Sequence, residues 1–384
     1  MPSLCIVAGD PSGDAHACSL VQALTRLDPS LTFAGLGGPR MREAGVELLD
    51  DLTQTAAIGP FDAARHLGRF IHARRRLAAH LQTHKPAAVI LVDFGDFNLP
   101  MIAPLAQRAG CRVLYYISPQ LWAWGRFRLH WVRRYVDRML VLFKFEEQFY
   151  RRAGVPVTWV GHPLVETASA SLSREEAQRD LGLNPWRKTI GLLPGSREHE
   201  IARHLPLLLA AAKQIAWEMP GVQFLLPKHP HAPARLFAPL EHARRHGLEV
   251  IACENRIYDC LQVLDGAVIA SGTATLEAAL FEVPMVVVYR TSWLTYLAAR
   301  CVVRVPHIAI ANLIAGQSIV PECVQRQATP SRIARALVEV LRSPERRTAM
   351  QEHLRKVKAE LGEAGSVERA AKAVLEELAV GATS

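Results

Sequence analysis

The chain has 384 residues, half of them hydrophobic, and a formal net charge of +9. That apolar content excludes a mainly disordered chain, the length predicts two domains, and the charge favours an anionic partner such as nucleic acid, anionic lipid or a phosphorylated substrate. The seven cysteines are scattered without a C-x-x-C pair, so neither a zinc site nor a disulfide frame is expected, only reduced core thiols.

In chain order, MPSLCIVAGD lacks a basic leader, and its apolar run Leu4–Ala8 predicts a strand rather than a signal peptide. No run approaches the roughly 18 apolar residues that span a bilayer. AGDPSGD (8–14) follows as a glycine-bracketed turn in which Ser12 or Asp14 can cap the next helix. Ala63 to Lys85 carries Leu67, Phe70, Ile71, Leu77 and Leu81 at helical spacing, surrounded by Arg65, Arg69, Arg74, Arg75 and Arg76.

VILVDFGDFNLP (89–100) ends a strand with Asp93 and Asp96. A carboxylate there can take a proton from a substrate hydroxyl, or Asp96 can simply cap the next helix. The stretch 115–138 interleaves Trp122, Trp124, Phe127, Trp131 and Tyr135 with Arg126, Arg128, Arg133, Arg134 and Arg138. Such mixing suits an anionic membrane interface, and it also suits core aromatics beneath a basic face. Without helix-turn-helix spacing, an RNP-like strand or a zinc finger, nucleic acid is not the expected partner.

Thr167 to Lys188 reads as a polar linker with one short helix. LLPGSREHEI (192–201) is a strand-to-helix turn in which Gly195 and Ser196 leave the backbone accessible and Arg197 offers a fork for phosphate oxygens. ASGTATLEAALFEVP (270–284) is a second such turn, small and hydroxylated, with Glu277 in the first turns of its helix. Ser271, Gly272, Thr273, Ala274 and Thr275 can form an anion site, and Glu277 can accept two ribose hydroxyls; a plain capped helix fits the same residues. After Pro330 only helices are expected, Ser331–Leu341, Pro344–Leu361 and Val367–Leu378. No G-x-x-x-x-G-K-[ST] or G-x-G-x-x-G occurs, which argues against an ATPase or a dinucleotide enzyme.

Apolar runs of strand length alternate with helical segments through both halves: Leu4–Ala8, Ala87–Val92, Val113–Ile117 and Met139–Phe143, then Thr189–Leu193, Val222–Leu226, Ala267–Ala270 and Met285–Tyr289. This predicts an α/β protein with two doubly wound parallel sheets and a ligand cleft between them.

The ordered series AGDPSGD, VDFGDFN, YYISPQLWAW, GHPL, LLPGSR, ASGTATLE, ANLIAG (311–316) and VPECVQ (320–325) resembles the lipid-A-disaccharide synthase family along essentially the whole chain. The resemblance implies a GT-B fold: a Rossmann-like, membrane-facing acceptor domain (1–166), a Rossmann-like UDP-sugar domain (167–345), and C-terminal helices (346–384) crossing back to the first. It implies an inverting transfer of 2,3-diacylglucosamine from UDP to the 6-hydroxyl of 2,3-diacylglucosamine 1-phosphate (lipid X), at the cytoplasmic face of the inner membrane of Gram-negative bacteria. Carried over by motif, the UDP site falls on Gly195, Ser196, Arg197, Ser271, Gly272, Thr273, Ala274, Thr275 and Glu277, with Asn312 and Gln325 helping to hold the donor. Asp96 is the expected base and Asp93 its partner; Gly9, Ser12, Gly13, Asp14, Ser118 and Trp122 fall on the acceptor side. The chain departs from the family pattern at Asp10, Pro11, Lys144 and Glu166. No cofactor and no metal is required, since no D-x-D motif occurs. Two rivals stand beside this reading: a UDP-N-acetylglucosamine 2-epimerase or other GT-B N-acetylglucosaminyl transferase, and a non-catalytic, membrane-docked nucleotide-sugar sensor. Acyl chain length and oligomeric state are not legible in the sequence.

Overall fold

The computed structural model describes residues 2–53, 63–229, 232–303 and 305–382. The chain divides into two compact units, Met1–Pro163 with Leu361–Ser384, and Leu164–Glu360.

The first unit is built on seven parallel strands: β1 (Ser3–Ala8), β2 (Thr32–Gly37), β3 (Glu47–Asp51), β4 (Ala88–Val92), β5 (Arg112–Tyr116), β6 (Arg138–Val141) and β7 (Val157–Trp159). Their order is β3-β2-β1-β4-β5-β6-β7. The apolar runs are continuous because both faces are covered. Leu4, Ile6, Ile90 and Val92 enter one core while Cys5, Val7, Val89 and Leu91, the alternate residues of β1 and β4, enter the other. Register pairs Ile6 with Gly35 and with Ile90. A Cβ at Gly35 would lie 1.8 Å from the Ile6 carbonyl oxygen, so β2 carries glycine where it meets β1.

The last helix, Ser366–Ala382, belongs to this unit and packs Ala370, Ala371 and Val374 against Leu20, Val21 and Leu24 of the helix Pro11–Leu27. Its Glu377 is buried and ion-paired with Arg112 and Arg138, the first residues of β5 and β6.

The second unit holds six parallel strands: β8 (Thr189–Leu193), β9 (Gln223–Lys228), β10 (Val250–Glu254), β11 (Gly266–Ala270), β12 (Met285–Tyr289) and β13 (Glu322–Val324). Their order is β10-β9-β8-β11-β12-β13. The segment 167–188 contributes the helix Arg174–Asp180, capped by Ser173 and Glu176, and is anchored by the Ser171 backbone N–H and hydroxyl, which donate to Asp259. The helix Pro344–Glu360 also belongs to this unit. Among the described residues, Cys5, Cys18, Cys111, Cys253, Cys260 and Cys323 are free thiols.

Each sheet reverses its strand order once, between β1 and β4 in the first unit and between β8 and β11 in the second. At such a point the connections leave in opposite directions and open a crevice at the carboxyl ends of the strands. The turns AGDPSGD and VDFGDFN follow β1 and β4, and PGSR and SGTAT follow β8 and β11. The four turns singled out in the sequence therefore stand in two pairs, one at each crevice.

Candidate active site

In the second unit a cavity of about 580 Å³ opens at the carboxyl ends of β8 to β11. That volume suits a small-molecule ligand. Gly195, Ser196, Arg197, Ser271, Gly272, Thr273, Ala274 and Glu277 all line it.

Two turns build the floor differently. After β8, Gly195 adopts φ +110°, and a Cβ there would meet Glu200 at 2.6–2.8 Å, so only glycine fits. The Glu200 carboxylate accepts hydrogen bonds from the backbone N–H groups of Ser196 and Arg197 at 3.1 and 3.2 Å and caps the helix Glu198–Glu218 internally. The Arg197 guanidinium is left exposed, 3.4 Å from Glu200. After β11 the helix Thr273–Leu280 starts at Gly272 with no side-chain cap. The Ser271 hydroxyl donates instead to the Ile308 carbonyl and the Thr275 hydroxyl to the Gly272 carbonyl. Thr273 and Ala274, which open this helix and line the cavity, therefore have no side-chain cap on their backbone N–H groups, an arrangement suited to an anion. SGTAT thus leaves its helix start without a side-chain cap, whereas PGSR supplies a guanidinium and a self-capped turn.

Glu277 stands one helical turn inside the same cavity, and burial raises its pKa above the ordinary carboxylate value. The Tyr258 hydroxyl donates to its Oε1 at 3.3 Å, which partly offsets that rise.

Thr275, Asn312 and Gln325 lie outside this lining. Thr275 is fully buried. Asn312, also fully buried, accepts from the N–H groups of Ile319 and Val320 and donates to the Val320 carbonyl and to Glu322. Gln325 exchanges two hydrogen bonds with the backbone of Thr291, at 2.8 and 3.1 Å. Both amides are committed to holding loops beyond β12. The cavity also takes in Lys228, His229, Asn255 and Arg256, from the ends of β9 and β10. Sequence reasoning missed these. Their signal was positional, since each follows an apolar run at the end where ligands bind.

The first unit arranges its turns around β1 and β4. Asp10 caps the helix Pro11–Leu27, accepting from the Gly13 N–H at 2.6 Å. Asp14, buried, reaches across to the start of the helix Pro39–Glu43 and accepts from the N–H groups of Gly38, Arg40 and Met41. The expectation that Ser12 or Asp14 caps the first helix is corrected on this point: Asp10 caps it because Pro11 at the first helical position leaves the side chain before it facing the free N–H groups. Ser12 is exposed, and Gly9 packs under the Phe94 ring, where a Cβ would clash at 2.0 Å.

After β4, Asp93 and Phe94 both take left-handed backbone conformations, φ +45° and +49°. Such strain costs of order 1–3 kcal/mol per residue and is held here by surrounding bonds. The Asp93 carbonyl accepts from the Tyr115 hydroxyl at 2.6 Å and the Asn98 amide at 2.8 Å. Burial, with a smaller contribution from Asp10, raises the Asp93 pKa to about 6. Asp96 projects into solvent and is ion-paired with Arg128. Beside them Ser118 shares a hydrogen bond with the Tyr150 hydroxyl at 2.7 Å, and the Trp122 indole donates to the buried Glu146 at 3.0 Å. Burial raises the Glu146 pKa to about 7. Of the amphipathic helix Ala63–His84, Leu77 and Leu81 enter the core and Leu67 and Ile71 are exposed; the side chains of residues 63–66, Arg65 among them, lie outside the described residues.

A family model described as lipid-A-disaccharide synthetase matches residues 4–377. The chain belongs to the lipid-A-disaccharide synthase family. It is 45% identical to the lipid-A-disaccharide synthase of Geobacter metallireducens, over 97% of this chain and 96% of that one. Against the synthase of Nitrosococcus oceani it is 44% identical, over 94% and 92%. In this family the chain is a glycosyltransferase of lipid A biosynthesis. Its fold is GT-B: it resembles the solved UDP-GlcNAc 2-epimerase from Neisseria meningitidis (TM-score 0.63, 12% identity, 98% and 100% covered) and the calicheamicin glycosyltransferase CalG4 (TM-score 0.63, 15% identity, 99% and 98% covered). At those identities the likeness is one of fold. Among the described residues, no helix is long and apolar enough to cross a membrane.

Proposed function

We propose that this synthase transfers 2,3-diacylglucosamine from UDP-2,3-diacylglucosamine to the 6-hydroxyl of lipid X, forming a β-1,6-linked disaccharide 1-phosphate and UDP. The observation that carries the reading is the lining of one cavity by an uncapped helix start, the exposed Arg197 fork and the recessed Glu277.

The diphosphate is the leaving group, and its departure requires that developing charge be balanced. The N–H groups of Thr273 and Ala274, with Arg197, supply that balance. Glu277 accepts the ribose hydroxyls, with Tyr258 steadying one oxygen. Asn312 and Gln325 act on the donor through the loops they hold. Asp96 takes the proton of the 6-hydroxyl as its oxygen bonds to the anomeric carbon. The bond from that carbon to the phosphate oxygen breaks, its electron pair leaves with UDP, and the single displacement inverts the centre. Asp93, recessed and more basic than an ordinary aspartate, is its partner. The exposed Leu67, Ile71 and Phe127, beside Arg75 and Arg126, support attachment to the anionic cytoplasmic face of the inner membrane.

The test is UDP release by purified protein with lipid X as acceptor, comparing UDP-2,3-diacylglucosamine with UDP-N-acetylglucosamine. Release only when the diacyl donor and acceptor are both present sustains the proposal. Turnover of the unacylated donor favours an epimerase or another transferase, and UDP binding without release favours a sensor.

A further inference from the structure

The second unit carries an apolar surface that the donor pocket does not use. β12 ends at Tyr289 and leads into the helix Trp293–Val302. A surface helix ordinarily turns its apolar i, i+4, i+7 stripe toward the core. Here Trp293 is 50% exposed and Leu297, one turn on, is 57% exposed. The exposed Arg300 continues the stripe, and Val303, 37% exposed, follows the helix.

The segment of sequence that carries this stripe has charge of one sign. From Val283 to Pro321 the chain contains no aspartate or glutamate, while Arg290, Arg300 and Arg304 fall within it. Arg290 is exposed, and the exposed Arg326 places its guanidinium 5.0 Å from the centre of the Trp293 ring. An indole and a leucine standing out of a helix, rimmed by arginines, are the parts that seat in the headgroup region of an anionic bilayer.

We infer that the helix Trp293–Val302 is a membrane-docking surface of the UDP-sugar unit, with Trp293 and Leu297 inserting at headgroup depth and Arg290, Arg300 and Arg326 pairing with anionic lipid. This deepens the proposed function, on which its biological sense rests, and adds to the donor-bearing unit an attachment that the sequence patterns assigned to the first unit alone. A donor whose acyl chains reside in the bilayer would be met by the unit that binds its nucleotide.

The test is co-sedimentation of the full chain with vesicles of phosphatidylglycerol and phosphatidylethanolamine, against vesicles of phosphatidylcholine alone. The parent protein is expected to bind the anionic vesicles and to release at high salt. The double variant Trp293→Ser/Leu297→Ser is expected to lose about tenfold in vesicle binding with UDP affinity unchanged. Arg300→Glu, which leaves the apolar residues in place, should lower binding to anionic vesicles in the same direction. Unchanged vesicle binding in both variants overturns the inference. So does a double variant that binds vesicles normally but loses turnover of detergent-dispersed substrates, because the helix would then hold substrate acyl chains instead of the bilayer. Failure of the transferase reading itself is separate: it is seen as absent UDP release by the parent protein, whatever the vesicles show.

Discussion

The Arg128 guanidinium, with a side chain only 5% exposed, is ion-paired with the carboxylate of Asp96, whose side chain is 76% exposed. A buried cation thus fixes the position of a solvent-facing carboxylate. The guanidinium lies 4.2 Å from the centre of the Trp124 ring, and its Nε is buried without a partner. Gly125, at φ +76°, makes room for it, since a Cβ there would sit 2.6 Å from an Arg128 nitrogen. The SPQLWAWGRFR stretch, read from sequence as aromatic and basic surface, therefore also holds the proposed base.

Arg128→Lys should lower UDP release about a hundredfold by letting Asp96 wander from its position, while UDP affinity stays unchanged. Steady-state turnover together with calorimetric UDP titration checks this. A parallel loss of UDP affinity would show that the substitution disturbs more than Asp96.

Asp96→Asn should abolish UDP release to a similar or greater degree and leave UDP binding intact, because the residue belongs to a different unit from the proposed nucleotide pocket. Single-turnover assays with saturating donor separate the two quantities. Near-parental turnover in this variant would move the base assignment to Asp93.

Asp93 has a folded pKa of about 6 against an ordinary value of 3.8. Because the folded state binds this proton more tightly, the carboxyl imposes no cost below pH 4, and stability is lost as pH rises through 6. Asp93→Asn removes that loss. It should stabilise the protein by up to about 3 kcal/mol above pH 7 and by nothing near pH 4, measured by urea unfolding at both values. An equal gain at both pH values would mean that the aspartate is not destabilised by its charge.

Glu277→Gln should weaken UDP binding roughly tenfold to a hundredfold, the usual cost of losing hydrogen bonds to a charged acceptor. Titration of the variant with UDP and with UMP tests the ribose assignment, since both ligands should lose equally. A loss confined to UDP would place Glu277 near the diphosphate instead.

Glu377→Gln should destabilise the first unit by about 2 kcal/mol. The Glu377 side chain is buried, but Arg112 and Arg138 are about one-third exposed, which moderates the cost. Urea unfolding followed by tryptophan fluorescence reads the change, and an unaltered midpoint would show that apolar packing alone holds the last helix.

The sequence by itself determined the class of fold and the positions of the turns. Central strands such as β1, β4, β8 and β11 are buried on both faces, so their apolar runs are continuous and legible one residue at a time. The strands it did not reveal are β2 and the four edges, β3, β7, β10 and β13. Edge strands are short and need be apolar on one side at most, as ELLDD and ECV illustrate, and β2 carries Gly35 and Gly37 to meet its neighbours closely. That Gly195, Arg197, Ser271 to Ala274 and Glu277 sit at strand-to-helix turns was readable, because a turn and its helix start are local; that they line one cavity came from the fold. Tertiary structure alone decided that Asp14 caps a different helix, that Asn312 and Gln325 hold backbone, that Lys228 and Arg256 join the cavity, and that Arg128 grips Asp96. Each of these depends on which strands end side by side or which loops pack together. That is fixed by packing between segments distant in sequence, which no local pattern encodes.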